Sequence, residues 1–484
     1  MVILNNKSTI NSFLWTAFQQ FGGQIIGFIV TILMTRHFEP SEFGLIAMIT
    51  FFYGIGYTIL QVGMTSSIIC TLNPDSLDYS TVFVSNVLIS IFIYFVFFFS
   101  APLMSSFLNQ PILVNIIRVY SLTLIIDSFS SIYIAKLTKE AEFKKQAKHI
   151  LLTSLISSFF GVILLFNSFG IWSYIYMVLC QSFLVSISFW LSIDWRPDFK
   201  FDISKFKFHF KFGYKLIIVG LMDNLMNNLY TLILAKFFPI SQLGLYSRAD
   251  SLKQIPVQNI TQILTKVTLP LFSKYQNDNL ELIKYYKNIL SIVLFFNAAL
   301  LVYVSITAES LFLLVFTEKW LPAVPYFQLL CIAGIFQPIN AYSMNVLTAM
   351  GNSSLYLKID FWKKIISVLV IVASSYYGIY GLITSQIMLS ILFFFINSYF
   401  IGEVIKYDLK SQLINVFPIL ILSFAFFIFL FSLNYFLQNN DFSAILMIII
   451  NFIFGILFYV FNVLMFKLKI LDVMIRMYRV IRGC

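Results

Sequence analysis

Residues 33–45 read Leu33-Met34-Thr35-Arg36-His37-Phe38-Glu39-Pro40-Ser41-Glu42-Phe43-Gly44-Leu45. At an offset of 200 positions, residues 233–245 read Ile233-Leu234-Ala235-Lys236-Phe237-Phe238-Pro239-Ile240-Ser241-Gln242-Leu243-Gly244-Leu245. Without a gap, Phe, Ser, Gly and Leu coincide, and Arg36 faces Lys236. Each copy closes one long apolar run and opens the next. It supplies a basic residue at a helix end, a tight polar turn, and a glycine where the following helix starts close by. Six apolar runs separate the copies, so the repeats are parallel. Two six-helix bundles related by an axis along the membrane normal form a transporter layout, with the substrate path at the repeat interface.

The runs on either side of these turns have the length that crosses a bilayer, about 20 apolar residues. Spans are expected at 10–36, 42–66, 80–105, 111–135, 149–166, 171–193, 212–238, 252–272, 285–307, 326–350, 360–378, 381–402, 412–437 and 443–466. The eighth is the most polar, with Lys253, Gln254, Pro256, Gln258, Asn259, Gln262 and Lys266, and is expected to face water or protein. The domain reading is an N-lobe at 1–195 (six helices), a cytoplasmic connector at 196–211, a C-lobe at 212–402 (six helices), and two further helices with a basic tail at 403–484. The expected fold class is therefore all-α integral membrane: about 14 transmembrane helices in two pseudo-symmetric lobes plus two C-terminal helices.

Charge gives the orientation. Of the 32 Lys and Arg residues, 25 fall in one set of alternate segments, 5 in the opposite set (Arg36, Lys236, Arg248, Lys253, Lys319), and Arg118 and Lys266 lie within spans. Cationic loops stay cytoplasmic, so both termini are expected inside. In the connector, Phe199–Phe212 alternates Phe with Lys; beside a membrane this reads as an interfacial segment with aromatics at the headgroups and Lys toward anionic lipid. Met1–Thr9 is too short and polar for a signal peptide, and the first apolar run too long for its core, so that run is expected to persist as a span.

Composition excludes several function classes. The chain is 60% hydrophobic and 11% charged, far from soluble averages. Its net charge of +11 is spread over many short loops with no basic face, so no nucleic-acid partner is expected. Cys70, Cys180, Cys331 and Cys484 are far apart and form no CxxC pair, and His37, His149 and His209 are each alone. Neither a disulfide framework nor a metal site follows. The chain lacks a Walker A sequence, HExxH, GxSxG and a dinucleotide fingerprint; no cofactor and no catalytic residue is expected, and outer loops are too short for a catalytic domain.

A charge at the bilayer centre costs roughly 2.5–3.5 kcal/mol on insertion scales, so intramembrane charges mark cavities or partners. Arg118 and Asp127 lie nine residues apart on the fourth span. Asp223, on the seventh, shares a face with Asn227, and with Asn224 corresponds across the repeat to Gly23 and Gln24. Gln19, Gln20 and Gln24 mark a polar face on the first span. Arg36, Lys236, Arg248 and Lys253 gather near the outer ends of spans, and such a set can hold a phosphate or diphosphate. Interfacial snorkelling is the plainer reading of these four, and a buried ion pair that of Arg118. For Asp127 and Asp223, a structural hydrogen bond competes with a proton-carrying role in ion-coupled transport. Gly22, Gly23 and Gly27 are expected to let helices approach closely, and Pro256 to free backbone carbonyls.

The stretch Phe238–Ala249 (FPISQLGLYSRA), followed by Lys253-Gln254-Ile255-Pro256 and by Leu269–Asp278 (LPLFSKYQND), resembles the polysaccharide repeat-unit flippases, the Wzx-type exporters of the MATE-like MOP superfamily. The opening FGGQIIGFIVTILMTRHFEPSEFGLIAM and Asn340–Asn352 (NAYSMNVLTAMGN) are similar to the same family. The resemblance covers about residues 8–465. It implies a multi-pass protein of the bacterial inner membrane, with fourteen helices in two lobes around a cationic cavity, and alternating access that carries an undecaprenyl-diphosphate-linked oligosaccharide from the cytoplasmic to the outer leaflet. Within the matching motif it carries Arg248 and Lys253 over as diphosphate or sugar contacts; Arg118 rests on its depth in the membrane.

The expected function is thus a lipid-linked oligosaccharide flippase for O-antigen, capsule or exopolysaccharide assembly, not an enzyme. Its headgroup contacts would be Arg118, Arg248, Lys253, Arg36 and Lys236, and its coupling or gating carboxylates Asp127 and Asp223. The expected partners are the glycolipid, membrane lipid, H+ or Na+ as coupling ion, and polysaccharide polymerase or chain-length proteins. The alternatives are a multidrug antiporter of the same fold and a membrane glycolipid polymerase or transferase.

Overall fold

The structure, a computed structural model, describes residues 7–198 and 200–465. The basic tail with Lys467, Lys469, Arg476, Arg479 and Arg482, and most of the Met1–Thr9 segment, lie outside the described residues. Among the described residues there is no β-strand, and long helices follow one another from Lys7–His37 to Ala444–Met465. Eleven helices are long and apolar enough to cross a membrane. A twelfth crossing is a bent pair, Ile203–Asn227 and Leu229–Phe237, angled at 51°. The eighth and eleventh expected spans are the helices Ile240–Lys274 and Ser353–Ser375, which are long but more polar. The chain is an all-α, multi-pass integral membrane protein.

The chain forms two compact units, Met1–Gly244 and Leu245–Cys484. In the first, Lys7–His37 packs on Phe143–Phe166, which packs on Ile171–Ser192; Ser76–Leu108 packs on Leu122–Lys139. The core at one end of this unit gathers Met64, Ile68, Val82, Phe83, Tyr133 and Phe189. In the second unit Asn279–Ile306 packs on Leu409–Asn439, around Phe272, Tyr286, Leu290, Tyr342, Leu347 and Ile401.

Helix starts are set by carboxylates. Asp75, Asp202, Asp278 and Asp408 each accept backbone N–H bonds as N-caps of the helices starting at Ser76, Ile203, Asn279 and Leu409. An anion there satisfies orphan donors and complements the helix dipole. All four starts lie on the expected cytoplasmic side, so these acids have a local reason for sitting among the lysines.

The two repeated turns meet reciprocally. In the first unit a Cβ on Gly44 would strike the Ile240 carbonyl oxygen and come within 2.7 Å of Ile240 Cγ1; a Cβ on Gly244 would strike the Pro40 carbonyl oxygen and lie 2.6 Å from its carbon. Pro40 and Ile240 are equivalent across the repeat, as are Gly44 and Gly244. The repeat read from sequence is therefore also a symmetric backbone contact. Of the first helix's glycines, Gly22 seats Leu151 at 3.1 Å, whereas Gly23 and Gly27 face open space. The helix Ile240–Lys274 runs unbroken through Pro256 and Pro270.

Candidate functional site

Membrane-embedded polar groups of the first unit converge on Asp127. The helix Pro40–Tyr57 brings Tyr53, whose hydroxyl donates to Asp127 Oδ2 at 2.7 Å. Ser182, from the Ile171–Ser192 helix, also bonds the carboxylate. The Tyr53 ring packs against Tyr57 at 5.6 Å and edge-on to Tyr120 at 5.5 Å, and Tyr120 stacks on Tyr174 at 6.3 Å. A void of ≈ 10 Å³ lies beside Tyr53 and Tyr120, the lower limit for one water. No Lys or Arg pairs with Asp127 among the described residues. The result is a partly buried carboxylate held by neutral hydroxyls, a composition that suits binding and release of a proton or small cation. The tyrosines were not singled out from sequence, because Tyr is abundant and carries no spacing signal.

Arg118 does not join this cluster. The helix is interrupted at Ser121, and Arg118 turns to the neighbouring helix Ser76–Leu108. Its Nε donates to the Phe98 carbonyl at 3.3 Å, and its guanidinium lies 4.3 Å from the centre of the Phe98 ring. The reason is four residues away: Pro102 sits inside that helix and has no N–H to offer Phe98. Arg118 fills the orphaned acceptor. Lys236 acts similarly. Its Nζ donates to the Phe107 carbonyl at 2.6 Å and lies 4.1 Å from the Phe107 ring, in the last turn, where carbonyls lack helical partners and a cation is favoured. We expect Arg118→Ala to lower the protein's stability by about 1 kcal/mol, the lower end of the cost of an unsatisfied acceptor, since the Phe98 carbonyl is only partly buried, and Arg118→Lys by less. Thermal unfolding in detergent, followed by size-exclusion fluorescence, checks this; equal melting of Arg118→Ala and the parent would refute it.

Arg36 is exposed at the end of the first long helix. Asp223 is exposed on Ile203–Asn227; its neighbour Asn224 instead packs against Gly54, and Asn228 caps the helix through Asn224 O. In the second unit, Arg248 is half-buried, whereas Lys253 is 1% exposed. Lys253 Nζ lies 2.6 Å from Asp250 Oδ1, and its Cδ would be 3.2 Å from a Cβ on Gly334. Gly334 thus makes room for the lysine stem, and Asp250 neutralises it. A further intramembrane cation emerges at Lys363, which lies just inside the expected span 360–378 but was grouped by sequence with the cytoplasmic charges. Its Nζ bonds Asn397 Oδ1 at 3.3 Å, and Asn397 bonds Asn340 Oδ1 at 3.1 Å. Each unit thus carries polar groups at membrane depth. Among the described residues no group of His, Cys, Asp and Glu could hold a metal ion.

With this geometry in place, comparison with known proteins is informative. A family described as polysaccharide biosynthesis protein matches residues 33–325, more than half of the chain. The teichuronic acid biosynthesis protein TuaB of Bacillus subtilis (strain 168) is 24% identical over 83% of this chain and 84% of its own. The lipopolysaccharide biosynthesis protein WzxC of Escherichia coli (strain K12) is 24% identical over 81% of both. Among solved structures, the lipid II flippase MurJ in an inward closed conformation superposes with a TM-score of 0.75 at 16% identity, covering 94% of this chain and 99% of its own. An inward-facing multidrug resistance MATE family transporter of the MOP superfamily gives 0.60 at 14% identity, over 80% and 96%. The structural likenesses establish the transporter fold, and the family match extends across both repeated turns: the chain belongs to the polysaccharide biosynthesis protein family.

Proposed function

We propose that the protein is a flippase for polysaccharide repeat units, moving an undecaprenyl-diphosphate-linked oligosaccharide across the bacterial inner membrane by alternating access. The observation that carries this reading is the extent of likeness: relatives named for teichuronic acid and lipopolysaccharide biosynthesis align over about four-fifths of both chains, and the chain has the fold of a lipid flippase over 94% of its length. In this reading the fourteen helices form two lobes, with both termini cytoplasmic and the connector between the sixth and seventh spans. Arg248, Lys253, Arg36 and Lys236 supply positive charge to the diphosphate or to acidic sugars, while Arg118 anchors the Pro102 helix or meets the headgroup itself. Asp127, and secondarily Asp223, carry the coupling H+ or Na+. No covalent step is involved, and polymerase and chain-length proteins take over the product.

A deletion strain tests this. Repeat-unit glycolipid should accumulate on the inner leaflet and surface polysaccharide should disappear, with both restored by the intact gene. Normal surface polysaccharide in the deletion strain would rule the reading out. A multidrug exporter built on the same fold is the alternative; it would instead show as drug sensitivity with the polysaccharide untouched.

A further inference from the structure

Beside the helix Asn279–Ile306 the second unit leaves a cleft. Both Leu409–Asn439 and Val324–Gly334 pack on that helix. Residues of all three line a cavity of ≈ 650 Å³ between them, the size of a small-molecule pocket. From Leu409–Asn439 it takes Leu420, Phe424, Phe427 and Phe431, whose spacing puts them on one face of the helix. The three phenylalanines are exposed, so the cleft opens toward the bilayer. The Phe427 and Phe431 rings stack at 6.0 Å.

The interior suits hydrocarbon. No charged residue lines it, and its polar side chains are Ser305, Gln328 and Ser423. Gln328 Nε2 donates to the Ser305 carbonyl at 3.2 Å, and Ser423 Oγ to the Ile419 carbonyl at 2.8 Å, so both spend their donors inside the protein. The wall helix Val324–Gly334 ends at membrane depth, but Asn297 Nδ2 takes the freed Gly334 and Ile335 carbonyls at 3.0 and 2.9 Å. That break needs no polar guest either. At 1.5 Å per residue, the stripe from Leu420 to Phe431 extends about 16 Å. It runs from near the middle of the expected span 412–437 toward its outer end. Its length matches one leaflet, half of a hydrocarbon core about 30 Å thick.

The rim above it is acidic. Gln438 lies about two turns beyond Phe431 on the same side of the helix, and its Nε2 donates to Glu309 Oε2 at 3.3 Å. Glu309 is exposed just past the end of Asn279–Ile306, and Asp441 is exposed three residues past Gln438. Neither pairs with a Lys or Arg among the described residues. The expected outer segments 307–325 and 438–442 hold Glu309, Glu318 and Asp441 against Lys319 alone. A diphosphate meets like charge here, and an ammonium meets counter-charge.

We propose that this cleft binds an amine-headed phospholipid of the outer leaflet, with one acyl chain along Leu420–Phe431 and the ammonium on Glu309. The site is separate from whatever cargo the protein moves.

Purified full-length protein, delipidated in detergent, is titrated with phosphatidylethanolamine or phosphatidylglycerol, and bound lipid is counted by native mass spectrometry. The parent should bind phosphatidylethanolamine about fivefold more tightly, the reach of one exposed ion pair, and Glu309→Gln should erase that preference. Phe427→Ala with Phe431→Ala should weaken both lipids at least tenfold. Ile421→Ala with Ile428→Ala, exposed residues of the same helix outside the cleft, should bind like the parent. Undecaprenyl diphosphate added to the loaded protein should leave the phospholipid in place. The proposal is overturned if the parent binds the two phospholipids equally, if the Phe pair binds like the parent, or if the Ile pair is as damaging as the Phe pair. Displacement by undecaprenyl diphosphate also overturns it, since the cleft would then seat the tail of the cargo. Melting temperature shows which variants are folded, and Glu309→Gln alone decides the matter if the Phe pair is not.

Discussion

Gly244→Val is expected to destabilise the protein enough to cut the amount of assembled, functional protein sharply, and Gly244→Ala to do so to a lesser degree. The obstacle is backbone: a Cβ at 244 would strike the Pro40 carbonyl oxygen, lie 2.6 Å from the Pro40 carbonyl carbon, and lie 3.1 Å from the Gly44 amide nitrogen. No rotamer change relieves such contacts, so two helix starts must separate. Overpacking in a well-filled interior typically costs about 1–3 kcal/mol, and backbone on both sides puts Val at or above the top of that range. Gly44→Val meets the Ile240 carbonyl across the same seam and should act in the same direction. Gly23→Val supplies the control, because nothing lies within 4 Å of a Cβ there. Thermal stability in detergent and the amount of surface polysaccharide are the readouts. Gly244→Val melting with the parent, or Gly23→Val proving equally damaging, would show that the reciprocal contact does not hold the turns together.

That seam shows what was legible in the sequence. Apolar length and alternating charge were enough for an all-α membrane protein, and the 33–45 and 233–245 copies pointed to a close helix start that the structure turns into a reciprocal contact. Helix N-caps at Asp75, Asp202, Asp278 and Asp408 follow ordinary local rules. The side chains' partners were not legible, because they come from helices distant in sequence. Arg118 stood out by its depth, but its acceptor is orphaned by Pro102 on a different helix. Lys253 is the exception: Asp250, one turn earlier on the same helix, was within reach of local spacing, but the room that Gly334 makes for the lysine stem was not. Lys363, just inside the expected span 360–378, was grouped with the cytoplasmic charges, since only the packing of Asn397 and Asn340 shows that it reaches into a polar network. Gly23 and Gly27 look like Gly22 in sequence, and only the neighbouring helix decides which of them seats a side chain.

Asp127→Asn should fold like the parent but lose export at least tenfold, and Asp127→Ala should lose both. The distinction follows from the bonds at this carboxylate. Tyr53 donates at 2.7 Å from the helix Pro40–Tyr57, and Ser182 donates from Ile171–Ser192, so Asp127 joins three helices of the first unit. Asn keeps an acceptor oxygen for Tyr53 and preserves that junction, but it has no exchangeable charge. Ala leaves the Tyr53 hydroxyl without its acceptor among packed rings, at a cost of about 1–3 kcal/mol. Tyr53→Phe removes the donor and keeps the charge, so it should retain export while shifting its dependence on pH or Na+. The measurement is glycolipid translocation in proteoliposomes under an imposed proton or sodium gradient, with melting temperature recorded for each variant. If Asp127 only ties helices together, Asp127→Asn will export at the parent rate and respond to the gradient as before. If it carries the coupling ion, the stable Asn variant will be slow and indifferent to the gradient, a combination that helix tethering alone does not produce.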